Sequence, residues 1–141
     1  MKKCETTDKF NYTEFFDEIE SDLTLHAHDI DKKIYQAPNV HNKLLRRFVI
    51  ERNKLHKYET EYNRVFGELF HHYRYESDIR CENKDVAIFY IKKDKKFLEV
   101  NDKYQRQKLL LDTIEKWMKK SERIGFDIKS IIEFQKFMAG N

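Results

Sequence analysis

Two long segments of this chain carry apolar residues at alternating spacings of three and four. The first runs from Pro38 to about Tyr73 and is interrupted only by Gly67, and the second follows Asp94. This spacing is the heptad pattern of helices that pack side by side. The first seam comprises His41, Leu44, Phe48, Glu51, Leu55, Tyr58, Tyr62, Val65, Leu69 and His72. The second seam comprises Phe97, Val100, Tyr104, Gln107, Leu111, Ile114 and Met118. Together they predict an antiparallel pair of helices that also packs between subunits.

The composition favours an all-α fold. The 141 residues include three glycines and one proline, so turns must be few. Charged residues make up 38% and apolar residues 40%, which suits long helices with solvated outer faces. We expect an acidic N-terminal arm with a short helix over residues 1–37. A single helical body over residues 38–141 would follow it.

Shorter elements are expected around the two long helices. Thr6–Asp8 can cap a first helix, whose apolar pattern extends to Leu23. Residues 22–37 are interpreted as a connector, and Pro38 has the fixed φ of a first helical turn. The apolar run 86–91 is compatible with a strand or a helix. We favour a helix because the sequence offers no second strand to pair with it.

The C-terminal segment predicts a separate short helix. Gly125 can end the preceding helix, and Asp127 can cap the next one. Phe126 and Ile131 have the spacing of a hydrophobic staple. A helix of about three turns cannot stand alone, so its apolar face should dock on other helices. The residues predicted to assemble the subunits are Phe126, Ile128, Ile131, Ile132, Phe134 and Phe137.

Charge is unevenly distributed along the chain. The net charge of +3 combines −6 over residues 1–31 with +9 over residues 32–141. A basic body favours a polyanionic partner such as nucleic acid. The acidic arm could contact a basic partner or the chain's own basic surface. The alternative is that these charges only solvate helix faces.

A basic stripe lies along the first long helix. Lys43, Arg47, Lys54, Lys57 and Arg64 share one helical face away from the seam. The stripe is flanked by Arg46 and Arg52 and continues to His71, Tyr73 and Arg74. Cations that follow phosphates and rings that stack on bases are typical of single-stranded nucleic-acid binding. A salt-bridged outer face with Tyr73 in the core would produce the same pattern. Asp94 can cap the helix that follows it. The lysine cluster Lys92–Lys96 lies at this helix start, where the helix dipole disfavours cations, and is compatible with phosphate contact or with a solvated loop.

The sequence contains no recognisable catalytic motif. It has no glycine-rich phosphate loop and no nucleophile in a known setting. His26 and His28 lack the further ligands that a metal site needs, so we expect no metal and no cofactor. Cys4 and Cys81 form no disulfide framework, which favours a reducing cytosol. No apolar run approaches the roughly 18 residues of a membrane span, and we expect no membrane partner.

From Tyr12 to Gly140 the order of residues resembles the phage recombination mediators of the UvsY family. The matching points are Asp22–Leu23, Pro38–Lys43 at the start of the long helix, Glu59, Tyr73, Phe126–Lys129, and Glu133 through Phe137 to Gly140. Each point is weak alone, but the ordered set with helix lengths to match is fairly specific.

The resemblance implies an accessory protein rather than an enzyme. It implies a ring-like homo-oligomer of about six or seven subunits, with closed symmetry, that binds single-stranded DNA. Such a protein helps displace the phage single-strand binding protein and promotes filament assembly by a RecA-like phage recombinase. Its location would be the cytoplasm of the infected bacterial host.

One departure from the family pattern bears on DNA binding. The family's DNA-contacting basic motif falls on Gly67–Phe70, where lysine and arginine are missing. Either the contact has moved to the basic stripe and Arg74, or DNA binding is weaker. The alternative function is a structural or scaffold helical protein of a phage, with no DNA-binding role. A third is an antirepressor-like protein binder that uses the acidic arm.

Overall fold

The computed structural model describes residues 9–26, 28–78 and 83–140, and all of their regular structure is helical. The helices are α1 (Tyr12–Leu23), α2 (Ile30–His71), α3 (Lys84–Lys93) and α4 (Lys95–Met138). A π-helical turn, His72–Glu76, follows α2 directly. The all-α prediction is confirmed, and residues 86–91 are helical as expected. Asn11 caps α1 by accepting from the Glu14 amide at 3.0 Å. The predicted caps Thr6–Asp8 lie outside the described residues.

The first long helix begins at Ile30, so the expectation that Pro38 opens it is wrong. The connector after α1 is reduced to residues 24–29. Its end is organised by Asp29, whose Oδ1 accepts from the His26 amide at 3.2 Å and whose carbonyl accepts from Lys33 at 3.1 Å. Pro38 has no amide to donate, which removes one bond of the helix. Burial of Ile30 and Val40 on either side of it helps offset that loss.

The second long helix continues through Gly125, so the separate C-terminal helix is also wrong. Ser121, Ile124 and Ile128 are all buried, and their spacings of three and four carry one packed face across the glycine. The helix ends instead at Met138, and Gly140, two residues later, has a left-handed φ of 78°. The predicted staple does not form, because Phe126 is 76% exposed.

Replacing Gly125 by alanine should stabilise the protein by about 0.5–1 kcal/mol, because glycine costs backbone entropy inside a helix. An added Cβ would meet no atom within 4 Å. The measurement is urea unfolding at a fixed protein concentration. Gly140→Ala is the control, since its positive φ should cancel any gain. A loss of stability in Gly125→Ala would contradict the continuous helix.

The described residues form two compact units. The first unit comprises the described residues of the ranges 1–43 and 118–141. In it, α1 buries Phe15, Ile19 and Leu23, which share one face at a spacing of four. Lys33 Nζ donates to the carbonyl of Ser21 at 2.9 Å and ties α2 to the end of α1. Ser121 of α4 lies 2.9 Å from a ring nitrogen of His41 in α2.

The second unit comprises residues 44–117. Its core is a cluster of Val65, Leu69, Ile91 and Phe97. Partly buried rings and side chains surround this cluster, namely Tyr62, Phe66, Phe70, Tyr73 and Val100.

The two long helices run antiparallel within the second unit. The rings of Tyr62 and Tyr104 lie 5.2 Å apart between centroids. Glu51, which precedes Tyr62 in α2, accepts a hydrogen bond from Gln107, which follows Tyr104 in α4. As residue numbers increase along α2, the numbers of the contacting residues in α4 decrease, as expected for antiparallel helices. Both heptad seams supply these contacts, so the seam pattern is confirmed here.

Candidate nucleic-acid interface

Four of the five cations in the predicted stripe are paired with carboxylates. Lys43 Nζ lies 2.8 Å from Glu18 in the first unit. In the second unit, Arg47 and Lys54 both approach Glu51, and Arg64 is held by two glutamates. Only Lys57 has no ion pair with another described residue. The stripe is therefore largely compensated, as the salt-bridged interpretation anticipates.

Glu51 is fully buried, and its hydrogen-bond partners Arg47 and Gln107 are largely buried with it, so neither is available to a ligand. Arg47 donates to its Oε1 at 2.9 Å and at 2.5 Å. Gln107 donates to its Oε2 at 2.6 Å and to its backbone carbonyl at 2.8 Å. The Arg47 side chain keeps only 12% of its exposure. A buried carboxylate requires such partners, and these four bonds make a polar layer inside the apolar seam.

Arg64 is clamped between Glu61 and Glu68. Its guanidinium makes two hydrogen bonds to Glu61 and one of 2.6 Å to Glu68. The hydrogen bonds from Arg64 lower the pKa of Glu61, and the two carboxylates raise the pKa of Arg64. Both shifts favour the charged forms of Glu61 and Arg64. It borders a cleft of about 560 Å³ that Asp94 and Glu99 also line, so this side of the second unit disfavours phosphate.

In the part of α2 that belongs to the second unit, three exposed cations make no ion pair with another described residue, namely Arg46, Arg52 and Lys57. Arg46 and Lys57 are eleven residues apart, which returns the helix to within about 20° of the same direction. They form an outer row, opposite the buried seam. Arg52 lies on a neighbouring flank of the same helix. Within the second unit, these are the cations of α2 that a phosphate could reach without breaking an ion pair.

The lysines around Asp94 occupy two helix ends. Lys92 and Lys93 belong to the last turn of α3, where the helix dipole favours cations. Asp94 caps α4 by accepting from the Lys96 amide at 2.9 Å. The expected capping role of Asp94 is therefore confirmed. The expectation that the whole cluster sits unfavourably at a helix start holds only for Lys95 and Lys96.

The aromatic and basic residues after α2 are partly engaged within the second unit. Tyr73 is half-buried, donates to Asp94 Oδ2 at 2.8 Å and stacks on Tyr90. Its ring therefore holds α3 against the end of α2. His71 Nε2 lies 3.3 Å from Glu76. Arg74 is half-buried, and its exposed neighbour Tyr75 was not among the predicted site residues.

A family model described as recombination, repair and ssDNA binding protein UvsY matches residues 18–141. The chain belongs to the UvsY family. Two crystal forms of the bacteriophage T4 recombination mediator protein UvsY share its fold. One has a TM-score of 0.80 at 17% identity, covering 92% of this chain and 98% of that one. The other has a TM-score of 0.77 at 16% identity, covering 92% and 99%. No curated protein matches by sequence.

Membership of the UvsY family makes the segment Gly67–Phe70 informative. This is the position that the resemblance assigns to the family's basic motif. Here Leu69 is 8% exposed and belongs to the core cluster, while Glu68 pairs with Arg64. The segment therefore contributes packing and negative charge, and the exposed cations lie elsewhere on α2.

The residues predicted to join UvsY subunits differ in exposure. Phe126, Phe134 and Phe137 are 76%, 63% and 75% exposed and are available to another copy. Ile131 and Ile132 are half-buried, while Ile128 is 4% exposed and lies in the core of the chain itself. The exposed rings thus form the accessible part of the predicted set.

Other sites have no support among residues 9–26, 28–78 and 83–140. No group of three His, Cys, Asp or Glu side chains in these ranges could hold a metal ion. His26 and His28 stack with ring centroids 5.5 Å apart. No helix in the described part of the chain is both long and apolar enough to cross a membrane.

Proposed function

We propose that this UvsY-family chain binds single-stranded DNA and acts as a recombination mediator. Its role would be to help displace the phage single-strand binding protein and to load a RecA-like phage recombinase in the host cytoplasm. The family match over residues 18–141 carries the proposal. The charge of the second unit supports it, because its 17 basic and 13 acidic side chains give a net of +4.

The proposed DNA contact is the exposed row of Arg46 and Lys57 together with Arg52. At 1.5 Å per residue, Arg46 and Lys57 are about 16 Å apart along the helix axis. A flexible single strand can therefore reach both. The sequence also placed other residues of α2 and the π-helical turn in the DNA site, and these are assigned supporting roles because they have partners within the chain: Lys43, Arg47, Lys54, Arg64, His71 and Tyr73.

A few exposed cations per subunit bind weakly, so the mechanism requires several copies acting together. Linked sites raise the effective concentration of each for one DNA strand. The exposed rings Phe126, Phe134 and Phe137 are proposed to contact a second copy, in a ring of about six or seven subunits with closed symmetry. DNA wrapped around such a ring would be strained against the protective protein and presented to the recombinase.

Binding to labelled oligo-dT should weaken steeply with salt. Each neutralised phosphate contributes about −0.7 to the slope of log affinity against log salt for a single strand. Three cations per subunit therefore predict about −2 for each subunit engaged. The measurement is fluorescence anisotropy over a salt series, with the native mass of the assembly determined in parallel. A slope near zero would contradict the DNA-binding proposal, and a stable monomer would contradict the ring.

The same titration separates the mediator from a structural phage protein. The extensive ion pairing of α2 favours that alternative, because compensated charges serve solubility. A structural protein would bind oligo-dT weakly and with little dependence on salt.

A further inference from the structure

Two large rings are exposed on elements that pack against each other, one in the π-helical turn and one in α3. Tyr75 is 69% exposed and Phe89 is 54% exposed. Both belong to the second unit. Covering an exposed aromatic ring with a ligand removes apolar surface from water, which is favourable. Exposed rings of this kind therefore mark candidate binding sites. We call these two residues the tip rings.

Each tip ring has a cation against it and a neighbouring ring that meets it at an angle rather than in a parallel stack. His71 lies 5.2 Å from Tyr75 at 49°, and Tyr90 lies 5.9 Å from Phe89 at 81°, between ring centroids. Lys93 Nζ lies 4.2 Å from the ring centroid of Phe89, and the Arg74 guanidinium lies 5.8 Å from that of Tyr75. Further exposed lysines close to α3 in sequence are Lys84, Lys92, Lys95 and Lys96. A ring beside a flexible cation is the pairing that single-stranded nucleic-acid sites use, with one group for the base and one for its phosphate.

The tip rings stand on a firm base. Tyr73 stacks on Tyr90 with ring centroids 5.8 Å apart and bonds to Asp94, which joins the π-helical turn to α3 and to the start of α4. Ile91 is fully buried beneath. The Ser77 amide closes the π-helical turn by donating to the His72 carbonyl at 2.8 Å. The backbone beneath the tip rings is thus already ordered by folding, so a ligand that binds there orders less of the protein, which favours binding.

We propose that Tyr75 and Phe89 stack unpaired nucleobases, with Arg74 and Lys93 taking the adjoining phosphates. The inference rests on the proposed function and assigns a base-contacting site in addition to the phosphate row of Arg46 and Lys57. Tyr73 is a positioning residue in this site, because its ring is already stacked within the protein. The surrounding lysines favour a polyanion over an apolar protein partner.

The test compares oligo-dT with an abasic oligonucleotide of the same length, so that phosphates are constant and only bases differ. Wild type should prefer oligo-dT by roughly tenfold for each ring that is stacked. The double variant Tyr75→Ala, Phe89→Ala should lose this preference and keep the salt slope. The aromatic variant Tyr75→Phe, Phe89→Tyr should restore the preference. Circular dichroism checks that each variant is folded.

Tyr35→Ala is the matched control, since Tyr35 is 81% exposed in the first unit and should not affect the preference. Equal binding of both oligonucleotides by wild type, or an undiminished preference in the double variant, would overturn the stacking site alone. An absence of binding to either oligonucleotide would overturn the proposed function with it. If the double variant binds DNA normally but loses a protein partner, the tip rings form a protein contact and the inference is wrong.

Discussion

Replacing Glu51 by alanine is expected to lower the free energy of unfolding by about 3–5 kcal/mol. The carboxylate is fully buried and accepts from Arg47 and Gln107. Its removal leaves the Arg47 guanidinium, 12% exposed, without its counter-charge, and leaves the Gln107 amide without its side-chain acceptor. A cavity is added to these losses. The measurement is urea unfolding at one protein concentration, because association would otherwise shift the midpoint.

Glu59→Ala is the matched control for this prediction. Glu59 is an exposed glutamate of the same helix, so its truncation should change stability by less than about 0.5 kcal/mol. Glu51→Gln keeps one acceptor for Gln107 and should fall between the two. If Glu51→Ala behaves like Glu59→Ala, the carboxylate is solvated and the polar layer contributes nothing.

Periodicity predicted the packed faces well. Leu44, Val65, Leu69 and Ile114 were all expected on the seams, and all are buried. The seams were predicted correctly because burial recurs at every third or fourth residue, so one polar residue on a seam does not change which helix face is packed. Glu51 and Gln107 also fell on the two seams by spacing alone. Their direct bond, however, depends on the register between two helices, which a single sequence does not encode.

Local stop and start signals predicted the helix boundaries poorly. Gly125 costs a helix only about 1 kcal/mol relative to alanine, and Pro38 removes one hydrogen bond. Burial of Ile124 and Ile128 outweighs the cost of Gly125. Burial of Ile30 and Val40 likewise outweighs the cost of Pro38. Tertiary packing therefore decided where α2 begins and where α4 ends.

The sequence left two interpretations of the basic stripe open, a DNA-binding face and a salt-bridged outer face, and the ion pairs on four of its five cations favour the second. Glu61 and Glu68 lie three residues before and four residues after Arg64, which are the spacings of helical ion pairs. Those glutamates were visible in the sequence, so the clamp on Arg64 could have been predicted. The Lys43–Glu18 pair joins two separate helices and could not have been.

Reversing the charges of Arg46, Arg52 and Lys57 together to glutamate is expected to weaken oligo-dT binding by roughly 100-fold at low salt and to flatten the salt slope by about 2 for each subunit engaged. These side chains are exposed and make no ion pair with another described residue, so the variant should remain folded. Reversing Arg47 and Lys54 would instead place negative charge beside the buried Glu51 and unfold the second unit. A loss of binding there would say nothing about DNA contact.

The matched control reverses Lys103, Arg106 and Lys116 on α4, which changes the net charge by the same amount from exposed positions of the same unit. A contact at the row on α2 predicts a much larger loss for the first variant than for the control. Equal losses would mean that binding responds only to the net charge, so that no particular helix face is the DNA site. Equal losses would therefore remove the assignment of phosphate contacts to α2, while leaving salt-dependent binding itself intact.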